Sequence, residues 1–188
     1  MTEQSREFSI CLLPTEGVVN NVQALRQELP GSPYRDDMPH ITLLRGISSA
    51  EQTFDEVLIH HVSSLVNPSD HLPLQATVRQ VANKDNQFYS SSGLIILDAS
   101  KELLAYRANV ATVLRENNYT IEPQELGEYT PHITIRLGVP LEGRNKERAQ
   151  DLFENRLITF SQWLIFRLVF IDGKRTMHEV RPSLGICS

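Results

Sequence analysis

An α+β fold made of two similar halves is what this sequence predicts, and three observations carry the prediction. Pro39-His40-Ile41-Thr42 recurs as Pro131-His132-Ile133-Thr134, 92 residues further along a chain of 188. Short apolar runs of strand character alternate with segments of helical period along the whole chain. The order of these segments before the second motif resembles the order around it, with offsets of about 86, 92 and 87 residues between the matched strands. Two units are too few for a solenoid, so the pattern reads as an internal duplication with pseudo-two-fold symmetry.

The elements follow in order. Phe8 to Leu13 is an apolar run that predicts a strand. Pro14-Thr15-Glu16 looks like a helix start, Val18, Val22, Leu25 and Leu29 recur at helical spacing, and Pro30-Gly31 ends the pattern. His40 to Leu44 predicts a strand. Ser48 or Ser49 with Glu51 opens a second helix carrying Phe54, Val57, Leu58, His61 and Leu65, stopped by Pro68. Leu72 to Ala82 alternates as a strand does, and Asn83-Lys84-Asp85-Asn86 predicts a turn. Ser92 to Ala99 holds the buried-strand run Leu94-Ile95-Ile96-Leu97. Lys101 to Glu116 is a helix with Leu103, Leu104, Val110 and Leu114 along it. His132 to Leu137 is the second motif strand. Arg144 to Glu154 reads as a charged helix whose apolar face is Ala149, Leu152 and Phe153. Ile158 to Ile171 is strand-like, Asp172-Gly173 signals a hairpin, and Thr176 to Leu184 is the last strand.

Composition narrows the function classes. A net charge of −5 leaves no broad basic surface of the kind that binds along a duplex, while a small nucleotide or an RNA end needs only a local basic pocket. Cys11 and Cys187 are too few for a disulfide framework and read as free thiols. No apolar run approaches 18 residues and Met1 to Glu7 is polar, so a cytoplasmic protein without membrane contact is expected. Walker, GxGxxG and nucleophile-elbow patterns are absent.

The chemistry therefore rests on the doubled motif. In a strand the His and Thr of each copy share one face and the Ile points to the other. Pro is tolerated at a strand start, where its missing N–H costs least. Two such strands brought together would set two imidazoles and two hydroxyls around one small anion. Histidine can act as base or acid near neutral pH, because its reference pKa is about 6.5. Zinc would need at least three ligands, and neither HExxH nor paired cysteines supply them, so no metal and no cofactor is expected. His60, His61, His71 and His178 read as bystanders.

These residues resemble the two-histidine phosphoesterase superfamily, which includes the 2'-5' RNA ligase-like proteins and the RNA 2',3'-cyclic phosphodiesterases. The resemblance is carried by His40-Ile41-Thr42-Leu43 and His132-Ile133-Thr134-Ile135, and the strand–helix order extends it over about residues 8 to 186. It implies a bilobal α+β fold, with two antiparallel-rich sheets and outer helices around a central groove. Residues 1–188 would form a single domain of two pseudo-symmetric lobes, with motif strands near 40–44 and 132–137. The resemblance also implies metal-independent hydrolysis of cyclic or 2'-linked phosphodiesters. His40 and His132 would be the acid–base pair, and Thr42 and Thr134 the phosphate ligands. Family members often carry an arginine five residues past the histidine. Arg45 stands at that offset, whereas Arg136 stands at offset four. By alternation Arg136 shares the face of His132, and Arg45 joins the face of His40 only if the strand ends or bulges at Leu44. Arg136 on that face leans the role of base toward His132. Tyr34, Tyr129, Phe88 and Tyr89 are candidates to stack on a base.

The expected substrate is a nucleotide or RNA carrying a 2',3'-cyclic phosphate, with hydrolysis or joining of 2',5' linkages as a close variant. From another class, a nucleotide or RNA-end binding module with little turnover would also fit a pocket of this kind. Matched pairs of His and Thr argue for turnover, since binding alone needs no acid and base. A monomer is expected.

Overall fold

The structure, a computed structural model, describes residues 7–29, 38–47, 62, 64, 73–86, 89–121, 127–171 and 174–180. Of the helix expected from Ser48 onward only Val62 and Ser64 are described, both helical; the Asp172-Gly173 hairpin turn, His60, His61, His71 and Cys187 lie outside the described residues.

Eight strands and three helices are described. They are β1 (Glu7–Pro14), α1 (Glu16–Glu28), β2 (Ile41–Ile47), β3 (Leu74–Asn86), β4 (Tyr89–Ala99), α2 (Lys101–Glu116), β5 (Thr120–Ile121), β6 (His132–Arg136), α3 (Gly143–Phe153), β7 (Leu157–Ile171) and β8 (Lys174–Val180). The apolar runs become buried strands and the helical periods become helices, within a few residues of expectation. Helix α2 begins where Ser100 accepts a hydrogen bond from the Leu103 amide, and ends where Asn118 takes a left-handed conformation.

The strands form one antiparallel ladder in the order β5-β2-β1-β7-β3-β4-β6, with β8 pairing the far end of β7. The sheets expected for the two halves are therefore continuous. β7 is long enough to pair β1 from Phe160 to Leu168 while its first residues pair β3. Without short β5, the order from β2 to β6 is a palindrome: β2 matches β6, β1 matches β4, and β7 matches β3.

The match extends to single residues. Cys11 pairs Thr42 and Ile10 pairs Leu44, so β2 carries an extra residue, Leu43, opposite β1. Leu94 pairs Thr134 and Gly93 pairs Arg136, so β6 carries an extra residue, Ile135, at the corresponding place. Both motif strands thus bulge immediately after the threonine. A bulge interrupts the ladder, bends the strand and re-aims side chains.

One expectation is corrected. Asn83–Asn86 is not the turn; β3 continues to Asn86, which pairs Tyr89. The amide of Asn83 is used in place: Nδ2 donates to the Leu141 carbonyl at 2.9 Å, and Oδ1 accepts from the Leu141 amide at 2.7 Å. The short β5, pairing Gly46 and Ile47, was not expected.

The main core lies between the sheet and the helices and includes Phe8, Ile10, Leu12, Val22, Leu25, Ile41, Leu43, Ile95, Leu103, Ile133, Ile135, Phe153 and Phe160. β1 is buried on both faces. Its alternate residues Cys11 and Leu13 join Leu164 and Phe166 in a second, smaller apolar cluster, against which Met38 packs. β2 and β6, separated in the ladder by four strands, curl back into contact. α1 packs on β1 and on β6, while α2 packs on β3, β5 and β2. Each half's first helix therefore reaches the motif strand of the other half.

Candidate active site

His40 precedes β2 and is half-buried; His132 opens β6 and is exposed. The two rings are held alike. His40 Nδ1 lies 2.8 Å from the Met38 carbonyl, and His132 Nδ1 lies 3.3 Å from the Thr130 carbonyl, two residues upstream in each case. A carbonyl only accepts, so Nδ1 carries the hydrogen and the reactive lone pair of the neutral ring is on Nε2. The His40 ring also rests on Phe166, with centroids 5.0 Å apart and planes tilted by 38°.

Burial pushes the His40 pKa down to about 4. The hydrogen bond to Met38 opposes this, and the positive charges of Arg26, His132 and Arg45 add to the lowering. His132 is also lowered, first by partial withdrawal of its ring from water, against the pull of the Thr130 carbonyl, and then by Lys84 and Arg45. The contact between β2 and β6, the influence of His132 on His40, and that of Arg45 on both put the two motifs at one place. A histidine whose folded pKa lies below its unfolded value of about 6.5 binds its proton less well when folded. Stability from His40 is therefore fully present above about pH 6.5 and lost as pH falls toward 4.

The threonines are half-buried and flank the bulges. Cys11, directly across the ladder, donates its Sγ–H toward Thr42 Oγ1 over 3.9 Å, and Ser9 Oγ lies 3.6 Å from the same sulfur. The corresponding residue opposite Thr134 is Leu94.

The remaining expected residues are distributed unevenly. Arg45 is half-buried, two residues past the bulge at Leu43. Arg136 is half-buried and pairs Gly93. Tyr129 donates its hydroxyl to the Thr42 carbonyl at 2.8 Å, packs on the main core, and has the Arg107 guanidinium 4.3 Å over its ring. Tyr34 and Phe88 lie outside the described residues, and of Tyr89 only its place at the start of β4 is described. Arg26, Lys84, Cys11 and Phe166 were not anticipated. Arg26 had a legible signal, since it stands four residues after Val22 on the apolar stripe of α1. Among the described residues no three His, Cys, Asp or Glu side chains group as metal ligands, and no helix is long and apolar enough to cross a membrane.

The sequence model of the 2'-5' RNA ligase superfamily matches residues 14–176. The chain belongs to the 2'-5' RNA ligase superfamily. The two-histidine phosphoesterase resemblance read from the doubled motif is thereby borne out. No curated protein matches the sequence. Solved structures do, at low identity. A structure described as a phosphoesterase is 13% identical with a TM-score of 0.55, covering 94% of this chain and 96% of its own. E. coli LigT complexed with NADP+ is 14% identical with a TM-score of 0.54 over 94% and 96%. TT0787 of Thermus thermophilus is 14% identical with a TM-score of 0.53 over 93% and 95%. These likenesses establish the fold of this superfamily member, mixed α and β with an antiparallel sheet.

Proposed function

We propose that this 2'-5' RNA ligase superfamily member opens 2',3'-cyclic phosphates at RNA ends or on nucleotides, by acid–base catalysis between His40 and His132 and without a metal. The observation that carries the reading is the paired presentation of the two imidazoles: each is tied through Nδ1 to a carbonyl, each leaves Nε2 for the reaction, and the strands that carry them are in contact. LigT complexes with 3'-AMP, ATP, NADP+ and phosphate support a phosphate ester as the ligand. The palindromic ladder supports one domain of two pseudo-symmetric lobes that share the site.

Water attacks phosphorus as one Nε2 takes its proton. The bond from phosphorus to one ribose oxygen breaks, and the other imidazole gives its proton to that oxygen, leaving a monoester. Thr42 and Thr134 donate hydrogen bonds to the non-bridging oxygens, and Arg45 offsets the growing negative charge. The sequence leaned toward His132 as base. His40 suits that role better, since burial and neighbouring positive charges hold its pKa at about 4, while His132, lowered as well but the more exposed of the two, is the proton donor. Hydrolysis of 2',5' linkages, or their formation in reverse, would use the same groups.

The deciding experiment is incubation with a short RNA ending in a 2',3'-cyclic phosphate. A terminal monoester, removable by phosphatase, is expected. Tight binding without turnover would overturn the proposal in favour of a binding module. Turnover is expected to be unchanged in excess EDTA; loss on chelation with rescue by a divalent ion would move the chemistry to a metal.

The pH dependence follows from the lowered pKa values. kcat/KM reports the free enzyme, so a bell with its maximum on the acid side of 6.5 is expected. Its limbs belong to the coupled pair. A maximum above pH 8 would contradict the two-imidazole reading.

A further inference from the structure

Arg26 is 1% exposed and is among the largest fully buried side chains. It occupies a core position of α1, between Val22 and Leu29 on the buried stripe. Burying a guanidinium costs several kcal/mol unless good geometry repays it, and an apolar residue would serve packing alone better. Its Nη2 donates to the Thr134 carbonyl at 2.6 Å. That carbonyl stands at the β6 bulge, where the ladder to β4 is interrupted.

The other bulge has a matching arrangement. The Thr42 carbonyl accepts from the Tyr129 hydroxyl at 2.8 Å, and the next carbonyl, Leu43, accepts from Arg107 Nε at 3.0 Å. The Arg107 guanidinium lies over the Tyr129 ring, so the two donors brace each other. In both places the donor comes from the opposite half. Arg26 of α1 holds the second motif; Tyr129, and Arg107 of α2, hold the first.

We propose that Arg26 and Tyr129 are positioning residues: each locks the threonine peptide of the opposite half at its bulge, and together they set the spacing of the two His-x-Thr motifs. Displacement of a reacting group by about 1 Å can cost about 100-fold in rate, so a hydrogen bond that fixes the threonine peptide acts on the chemistry without touching substrate. Arg26 has a second influence, because its charge helps keep His40 neutral. The kinetic consequences rest on the cyclic phosphodiesterase reading; the structural ones do not.

The test uses three variants of the full chain: Tyr129→Phe, which removes one hydroxyl, and Arg26→Lys and Arg26→Met. Imidazole resonances are followed by NMR through a pH titration, and turnover of the cyclic-phosphate RNA is measured beside it. Tyr129→Phe is expected to move the His40 resonances while keeping the wild-type circular dichroism. It should lower kcat about tenfold with KM within about twofold. Arg26→Met should move the His132 resonances and raise the His40 pKa. Arg26→Lys, which keeps a positive donor, should restore much of both. If Arg26→Met does not fold, Arg26→Lys and Tyr129→Phe decide. Unmoved histidine resonances in folded Tyr129→Phe and in the folded Arg26 variants would overturn the proposal. If the wild type opens no cyclic phosphate, the proposed function fails, and the NMR titration still decides whether these residues position the motifs.

Discussion

His40→Ala and His132→Ala are each expected to lower kcat on a 2',3'-cyclic phosphate by roughly 10²–10⁴, the range for a positioned acid or base. His40 is half-buried just before β2 and His132 is exposed at the start of β6, so neither change is expected to unfold the protein. Circular dichroism and the thermal midpoint check this. The double variant should lose far less than the product of the single losses, because the proton removed by one imidazole is matched by the proton given by the other. Thr42→Ala and Thr134→Ala should cost less, as each removes hydrogen bonds to phosphate and leaves proton transfer in place. The two need not be equal, since Cys11 faces Thr42 and Leu94 faces Thr134. Near wild-type turnover in a folded His40→Ala or His132→Ala variant would show that the doubled motif is structural.

The largest effect on stability is expected at Phe8. Its ring is wholly buried, meets Tyr119 edge-to-face at 5.7 Å and 87°, and belongs to the residue paired with Gly46 in the β1–β2 ladder. Phe8→Ala should cost about 3–5 kcal/mol in denaturant titrations. Gly46 has its own constraint: a Cβ there would stand 2.5 Å from Phe8 Cζ. Gly46→Ala in the wild-type background should therefore destabilise by about 1–3 kcal/mol through overpacking. In the Phe8→Ala background the same change fills space the ring has vacated, and its cost should fall toward zero or reverse. Additivity of the two changes to within about 0.5 kcal/mol would mean that ring and glycine are not in contact.

Much of this was legible because local pattern and tertiary role agree. Lys101 to Glu116 has helical period, and α2 occupies those residues. The matched order of segments anticipated the palindrome of strands, and the doubled Pro-His-Ile-Thr anticipated two equivalent strands. Other features depend on contacts that no local pattern encodes. β5 has two residues, too few to show a period. Asn83 to Asn86 have turn-forming side chains, yet Asn83 is held in a strand by the backbone of Leu141, 58 residues away. The bulges leave no mark in the sequence, because Leu43 and Ile135 suit a straight strand equally well. Arg26 stands on the apolar stripe of α1, a signal that the ordinary rule that charge faces water outweighs. Its hydrogen bond to the Thr134 carbonyl, 108 residues away, is a contact that no local pattern encodes.

The centre of the palindrome is the β3–β7 pair, antiparallel from Leu74–Phe160 to Thr77–Leu157. An antiparallel strand pair about a local two-fold is the isologous contact of a symmetric dimer, here closed within one polypeptide. In such a dimer the two halves of a shared centre would be identical and each subunit would change with its twin. Covalent linkage removes that constraint. The position across from one threonine can become a thiol while the other becomes a leucine, and one imidazole can sink against Phe166 while its counterpart stays more exposed. A reaction that needs a proton acceptor on one side of phosphorus and a proton donor on the other gains from that inequality, which an assembly of identical subunits could not hold permanently.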